Sequence, residues 1–253
     1  MGFILDCSGR DSALITLSQG YGCTVSELEK VLLGIDLEEV FKADPYIPIS
    51  ANQLLFEHTG SLLGEPDQVT SAVWFHGTRT AANNQFLEGI LPLNVAFPAV
   101  ISMLADVAPS IQVGRRLSDW AKSGVPDRMF MERHGSSLHW GPYASLVREV
   151  QLNNEGTRHH NYSAMPELVE DVCNAYLDLY DTDLKPHYSA VLKPRLIWFT
   201  APPNSPQRCI EAALAYAYMA VRHLPPDSCS NWGIDRDGIA VPFEDIIRIE
   251  DVL

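Results

Sequence analysis

Residues 73–79 read Val-Trp-Phe-His-Gly-Thr-Arg, an apolar run that gives way within one residue to histidine, glycine and two more polar side chains. Because β-branched and aromatic residues suit a covered, pleated surface, this run predicts a buried strand. Gly77 has no Cβ, so the backbone there can come close to a ligand. We therefore expect a buried strand that ends at His76 and is followed by a loop that faces a ligand.

The residues that follow have their own order. Residues 80–85 are predicted to open a short helix, and Phe-Leu-Glu-Gly-Ile-Leu-Pro-Leu at 86–93 closes it with glycine and proline. This arrangement resembles the first motif of the ADP-ribosyltransferase superfamily. In that motif a strand ends in His-Gly-Thr, and a helix ending in Gly-Leu or Gly-Ile follows it.

Two later stretches extend the resemblance. A second apolar run, residues 194–200, ends at Thr200, and a helix rich in Ala and Tyr is predicted for residues 207–223. The superfamily likewise has a second strand that ends in Ser, Thr or Tyr and leads into a helix. Val-Pro-Phe-Glu-Asp-Ile at 241–246 is similar to the closing Val-Pro-x-Glu-x-Ile, which a terminal strand follows.

We expect an α+β fold of two parts. Residues 1–70 form a helical N-terminal module, with a capped helix starting at residues 24–29 and a second helix at residues 52–63. Residues 71–253 form the ADP-ribosyltransferase-like domain, a split and mostly antiparallel sheet with helical insertions. The insertions include helical sequence at 95–121, interrupted at two prolines, and an acidic amphipathic helix at 165–180, whereas residues 155–160 are predicted to be a loop.

The resemblance implies NAD-dependent transfer of ADP-ribose to a macromolecular acceptor, which we expect to be a protein. NAD would be the substrate, and no metal would be needed. By analogy with the family, His76 would bond the adenosine ribose, the backbone of Gly77 would hold the carboxamide, and Arg79 would meet a phosphate. The expected NAD-binding residues are His76, Gly77, Thr78, Arg79, Tyr143 and Thr200.

A carboxylate is the remaining requirement, because the bond between nicotinamide and ribose breaks through an oxocarbenium-like state. Glu244 is favoured by its position before the last strand, and Glu149 by its neighbours Tyr143 and Arg148. Glu211 is a third candidate, and the absence of any catalytic acid is a fourth. The sequence alone leaves this choice open.

Two other functions compete with transfer. The protein could instead hydrolyse NAD in the same pocket, with water as the acceptor. Alternatively, the fold could be a catalytically inactive binding or interaction module. A histidine at a strand end is also a common core-edge residue with no ligand at all. The chain has no phosphate-binding loop motif, no G-x-G-x-x-G, no G-x-S-x-G and no H-E-x-x-H, so those enzyme classes lose their strongest signatures.

Composition limits the partners. Lys and Arg number 18 against 32 Asp and Glu, a net charge of -14 that disfavours nucleic acid and anionic membranes. The five cysteines form no C-x-x-C pair, which predicts a reduced compartment. The histidines are dispersed along the chain, so no metal site is predicted. The sequence also has no apolar run long enough to predict a membrane span. We expect a cytoplasmic protein. Signal-free secretion is compatible with this sequence, as is a toxin or effector with a neutralising partner.

Overall fold

The computed structural model describes residues 2–152 and 163–252. Its strands are β1 (Gly2–Leu5), β2 (Gln68–Thr80), β3 (Tyr143–Ser145), β4 (Lys193–Ala201), β5 (Gly233–Asp235) and β6 (Ile246–Asp251). Its helices are α1 (Arg10–Gly20), α2 (Val25–Gly34), α3 (Leu37–Ala43), α4 (Ala51–Leu63), α5 (Leu93–Asp106), α6 (Ile111–Ser123), α7 (Arg128–Gly135), α8 (Arg148–Leu152), α9 (Glu167–Tyr180), α10 (Lys185–Val191) and α11 (Pro206–Val221). The predicted loop at residues 155–160 lies outside the described residues.

The strands form one open sheet in the order β5-β3-β2-β4-β6, and β1 pairs with β2. β1 runs parallel to β2, whereas the pairs β2 with β3 and β4 with β6 are antiparallel. The predicted α+β class with a mostly antiparallel sheet is therefore confirmed. Among the described residues, no helix is both long enough and apolar enough to cross a bilayer.

The chain divides into two compact units, each assembled from several segments. Within the described residues the first unit comprises 2–75, 144–152 and 200–234, and the second comprises 76–143, 163–199 and 235–252. The boundary expected near residue 70 falls five residues before the end of the first segment of the first unit.

Helices dominate the first unit. α11 is buried along most of its length and packs against α1, α2 and α4. Thr24 caps α2, accepting from the amide of Glu27 while the Glu27 carboxylate accepts from the Thr24 amide, as the capping pattern predicts. The strand β1 was not predicted. It pairs with the first half of β2, so the first seventy residues are not wholly helical.

The second unit has its own apolar core. Its largest buried side chains come from α5, α6, α7, α9 and α10 and include Leu104, Leu117, Phe130, Tyr176 and Tyr188. The predicted helix at 165–180 is observed as α9. Of the two interruptions predicted for residues 95–121, the one at Pro109 is observed between α5 and α6, whereas Pro98 lies inside α5. A proline at the sixth residue of a helix removes one backbone hydrogen bond, and α5 tolerates that loss.

Two local predictions around His76 are wrong. β2 continues through His76 to Thr80 instead of ending at the histidine, and residues 81–89 form turns where a helix was predicted. The Asn84 side chain explains the turns, because it donates to the Thr80 hydroxyl and accepts from the Phe86 amide. Such local bonds compete with a helix.

Candidate active site

His76 lies on β2 directly after the buried residues Val73, Trp74 and Phe75. Its Nδ1 is 2.7 Å from the backbone oxygen of Tyr143. Because a carbonyl oxygen can only accept, Nδ1 must carry the ring proton. Burial lowers the pKa of His76, which favours the neutral ring. The other nitrogen, Nε2, is therefore a hydrogen-bond acceptor.

His76 forms part of the wall of two cavities in the second unit. The larger has a volume of about 530 Å³ and is lined by the end of β2, by residues 83–91 and by one side of α5. This volume falls within the usual range for small-molecule sites, roughly 300–1,000 Å³. Thr78 and Arg79 line both cavities together with His76.

The wall of the larger cavity is joined to the closing motif. Ile90 and Val241 exchange two backbone hydrogen bonds, of 2.8 and 2.9 Å. Gly89 has φ +78, and a Cβ at this position would overlap the Val241 carbonyl oxygen. Only glycine fits such a position without displacement of the backbone. The Gly-Ile and Val-Pro stretches noted in the sequence are thus in direct contact.

The smaller cavity, of about 180 Å³, has aromatic and charged walls. Phe130, Trp140 and Tyr143 contribute rings, and Arg133, Glu167 and Asp171 contribute charges. Arg133 Nη1 lies 2.7 Å from both carboxylate oxygens of Asp171, which is a buried residue. Burial raises the pKa of Asp171, and the Arg133 guanidinium opposes that rise.

Arg79 is largely engaged by the protein itself. Its Nε donates to the Ser163 oxygen at 2.7 Å, and its Nη1 donates to the oxygens of Ser189 and Leu192. Burial lowers the pKa of this guanidinium. Within the described part of the chain, Nη2 alone has no protein acceptor, so a ligand phosphate could be bound through that nitrogen only.

The predicted binding residues of the second unit lie close together. Tyr143 lines the smaller cavity, while its hydroxyl donates to the Leu138 oxygen and its own carbonyl fixes His76. Gly77 is buried in β2 between His76 and Thr78. Neither cavity is lined by Gly77.

The three glutamates considered as catalytic acids have different surroundings. In the first unit Glu149 accepts from the Tyr216 hydroxyl at 2.9 Å, and the buried Glu211 accepts from Gln207 and Arg208. In the second unit Glu244 is exposed in a short 3-10 turn, three residues after Val241, and lines neither cavity.

Thr200 belongs to the first unit, where it is half-buried near the end of β4. Its neighbour Ala201 accepts a hydrogen bond of 3.0 Å from the indole of Trp74. Trp74 is thus a core residue.

Sequence reasoning missed the charged wall of the smaller cavity. Glu167 and Asp171 are four residues apart at the start of α9, a spacing that puts both on one helix face. The acidic helix was predicted, but nothing in its sequence indicates that Arg133, 38 residues earlier than Asp171, is its partner. Within residues 2–152 and 163–252 no group of three potential ligands is placed to hold a metal ion.

Comparisons with known proteins identify no relative. No family model matches the chain, and neither a curated protein nor a solved structure matches it.

Proposed function

We propose that this protein transfers ADP-ribose from NAD to a protein acceptor, with NAD bound at the two cavities that share His76. The observation that carries the proposal is the hydrogen bond that fixes His76 Nδ1 to the Tyr143 carbonyl in the wall that both cavities share. A neutral histidine whose Nδ1 is held by the Tyr143 carbonyl offers Nε2 as an acceptor. Such an acceptor suits the hydroxyl group of a ribose and does not suit a phosphate oxygen.

The shape of the site supports a ligand of this size. The two cavities, of about 530 and 180 Å³, share His76, Thr78 and Arg79 on their walls. A dinucleotide has two unequal ends, and a large and a small cavity with a common wall offer a place for each. The pairing of Ile90 with Val241 holds the larger cavity's wall against the segment that leads to Glu244.

The reaction requires a carboxylate near the reacting ribose. The C1′–N bond breaks, nicotinamide leaves with the bonding electron pair, and a nucleophile on the acceptor forms a new bond to C1′ as it loses a proton. A nearby carboxylate stabilises the developing positive charge and accepts or orients that proton. We assign this role to Glu244. It lines neither cavity, but it follows by three residues Val241, which is bonded to Ile90 in the wall of the larger cavity. Its side chain has no protein hydrogen-bond partner among the described residues, whereas Glu149 and Glu211 have such partners.

Two measurements on the full chain test the proposal. Millimolar NAD should raise the thermal midpoint, and the shift should disappear in His76→Ala but persist in His58→Ala, which removes an exposed histidine of α4. Incubation with labelled NAD should then release nicotinamide and label an acceptor protein. Release without labelled protein would indicate hydrolysis instead. If NAD neither shifts the midpoint nor is consumed, the proposal is refuted.

A further inference from the structure

β6 is the last strand of the sheet. Among the strands of residues 2–152 and 163–252, β4 is its only neighbour, and Ile197 of β4 lies opposite Ile249 of β6. The outer edge of a terminal strand carries N–H and C=O groups that can bond to a strand of another chain. β6 therefore offers a backbone surface on which a further strand can pair.

The pairing with β4 determines which backbone groups of β6 face outward. The Val252 amide donates to the Pro194 oxygen at 3.2 Å, so Val252 bonds toward β4. Successive residues of an antiparallel strand bond to opposite sides. Glu250 accordingly bonds toward β4 as well, while Ile249 and Asp251 direct their N–H and C=O groups away from it. These two residues supply outward backbone donors and acceptors.

The side chains of β6 carry charges of both signs. Arg248 and Glu250 are two residues apart, which puts them on the same face of the strand. Both contact Trp198, whose indole donates to Glu250 at 2.9 Å and whose ring centre lies 5.0 Å from the Arg248 guanidinium. Arg248 is exposed and has no carboxylate partner within the part of the chain that the structure describes. A positive and a negative group thus lie side by side at the edge of the sheet.

Two copies of β6 are complementary in one antiparallel register. In a symmetric pair centred on Ile249, the outward groups of the two Ile249 residues bond to each other, and Arg248 lies opposite Glu250 of the partner subunit. Opposite residues at that position form a non-hydrogen-bonded pair, where side chains approach closely and opposite charges are stabilising. A pair centred on Arg248 would oppose two arginines, and one centred on Glu250 would oppose two glutamates.

We propose that β6 is a dimerisation surface whose partner is a second copy of this chain, paired antiparallel about Ile249. A shift in the β4 register near Ile246 bends the start of β6, so the pairing comprises residues 247–251. Ile247, which is 56% exposed, then lies beside the second strand. Such a short strand pair is a small interface, for which we expect a dissociation constant on the order of 10–100 μM. The inference does not depend on the proposed reaction.

The oligomeric state of the full chain tests this surface. Sedimentation equilibrium at concentrations up to about 500 μM should show a monomer–dimer equilibrium for the parent protein. The salt concentration should be about 0.15 M, because repulsion between two chains of net charge -14 is then screened beyond about 8 Å. A parent protein that stays monomeric over this range overturns the inference.

Charge reversals test the register. Arg248→Glu and Glu250→Arg each put like charges opposite each other at both symmetric positions, so each variant alone should dimerise about tenfold more weakly than the parent. An equal mixture of the two variants should associate about as tightly as the parent, since every glutamate then faces an arginine. Arg128→Glu and Glu132→Arg make the same changes in net charge on exposed side chains of α7 and should leave dimerisation unchanged.

Two further results would overturn the inference: a dimer that both charge reversals on β6 leave unchanged, or weakened variants that do not recover when they are mixed. Thermal midpoints establish that each variant is folded, which matters for Glu250→Arg because it removes the acceptor of the Trp198 indole. Arg248→Glu changes only an exposed side chain, so its dimerisation decides the question even if Glu250→Arg unfolds. None of these measurements involves NAD, so the dimer and the proposed transfer are tested separately.

Discussion

The neutral ring of His76 has a consequence for stability that can be measured. In the unfolded chain the pKa of a histidine is about 6.5, and burial lowers it in the folded protein. The unfolded state therefore binds more protons as the pH falls below 6.5, so the free energy of unfolding should fall between this value and the lower folded pKa. NMR titration of the His76 ring should give a pKa below the ordinary value of about 6.5.

A matched variant isolates this effect. His76→Gln keeps a hydrogen-bonding side chain but cannot titrate, so its loss of stability between pH 7 and pH 5 should be smaller than that of the parent protein. For each unit by which the folded pKa of His76 lies below 6.5, the free energy of unfolding at low pH is reduced by about 1.4 kcal/mol. Identical pH profiles for the two proteins would mean that the ring is not held neutral by its environment.

Glu244 can be separated from the other glutamates by substitution. Glu244→Gln should abolish release of nicotinamide and leave the NAD-induced thermal shift unchanged, because an exposed side chain that lines neither cavity should contribute little to NAD binding before the reaction. Glu88→Gln serves as the control, since this residue lines the larger cavity without being assigned to the chemistry. Full turnover in Glu244→Gln would remove this residue from the mechanism.

Gly89 is a position where one methyl group should matter. Gly89→Ala places a Cβ at φ +78 and against the Val241 carbonyl oxygen, so the free energy of unfolding should fall by about 2 kcal/mol or more. Gly34→Ala, at the end of α2 where a Cβ meets nothing within 4 Å, should be neutral or slightly stabilising. Chemical denaturation measures both. Equal effects would show that the contact with Val241 is not a constraint.

β2 shows which parts of an element can be predicted from the sequence. The apolar residues before His76 identify a buried strand, because their side chains suit a covered sheet surface. The polar residues that follow suggest a loop, yet β2 continues to Thr80. The end of the strand is stabilised in part by hydrogen bonds from Arg79 to the backbone oxygens of Ser163, Ser189 and Leu192. These residues lie 84 to 113 positions away in the sequence. No local pattern contains that information.

Arg79 accordingly connects β2 to distant segments of the second unit. Arg79→Lys keeps the charge but offers one ammonium group in place of a planar fork, and it cannot reach three carbonyl oxygens at once. We expect the free energy of unfolding to fall by about 2 kcal/mol in denaturation experiments. Arg115→Lys, at an exposed position of α6, is the control and should have little effect. A neutral Arg79→Lys would show that these bonds contribute little.

At the level of the chain, composition and periodicity were enough for the fold class and for most of the long helices. They could not reveal that each compact unit is assembled from three separate segments. The predicted site residues are divided in the same way. Five of them, from His76 to Arg79 and Tyr143, belong to the second unit with Glu244, whereas Glu149 and Thr200 belong to the first. Long-range contacts determine which unit each of these residues belongs to, and local sequence patterns do not contain that information.

This division allows a last prediction about where NAD acts. A ligand held by residues of the second unit should slow local amide exchange there, because exchange through local opening requires the ligand to leave. Hydrogen exchange followed by mass spectrometry should show protection of residues 76–91 and 130–143, with no change in the fast-exchanging amides of α4. The slowest amides are uninformative for this purpose, since a protein that unfolds as one cooperative unit gains protection at all of them. Fast-exchange protection limited to the first unit would place NAD elsewhere and refute the assignment of the site to His76.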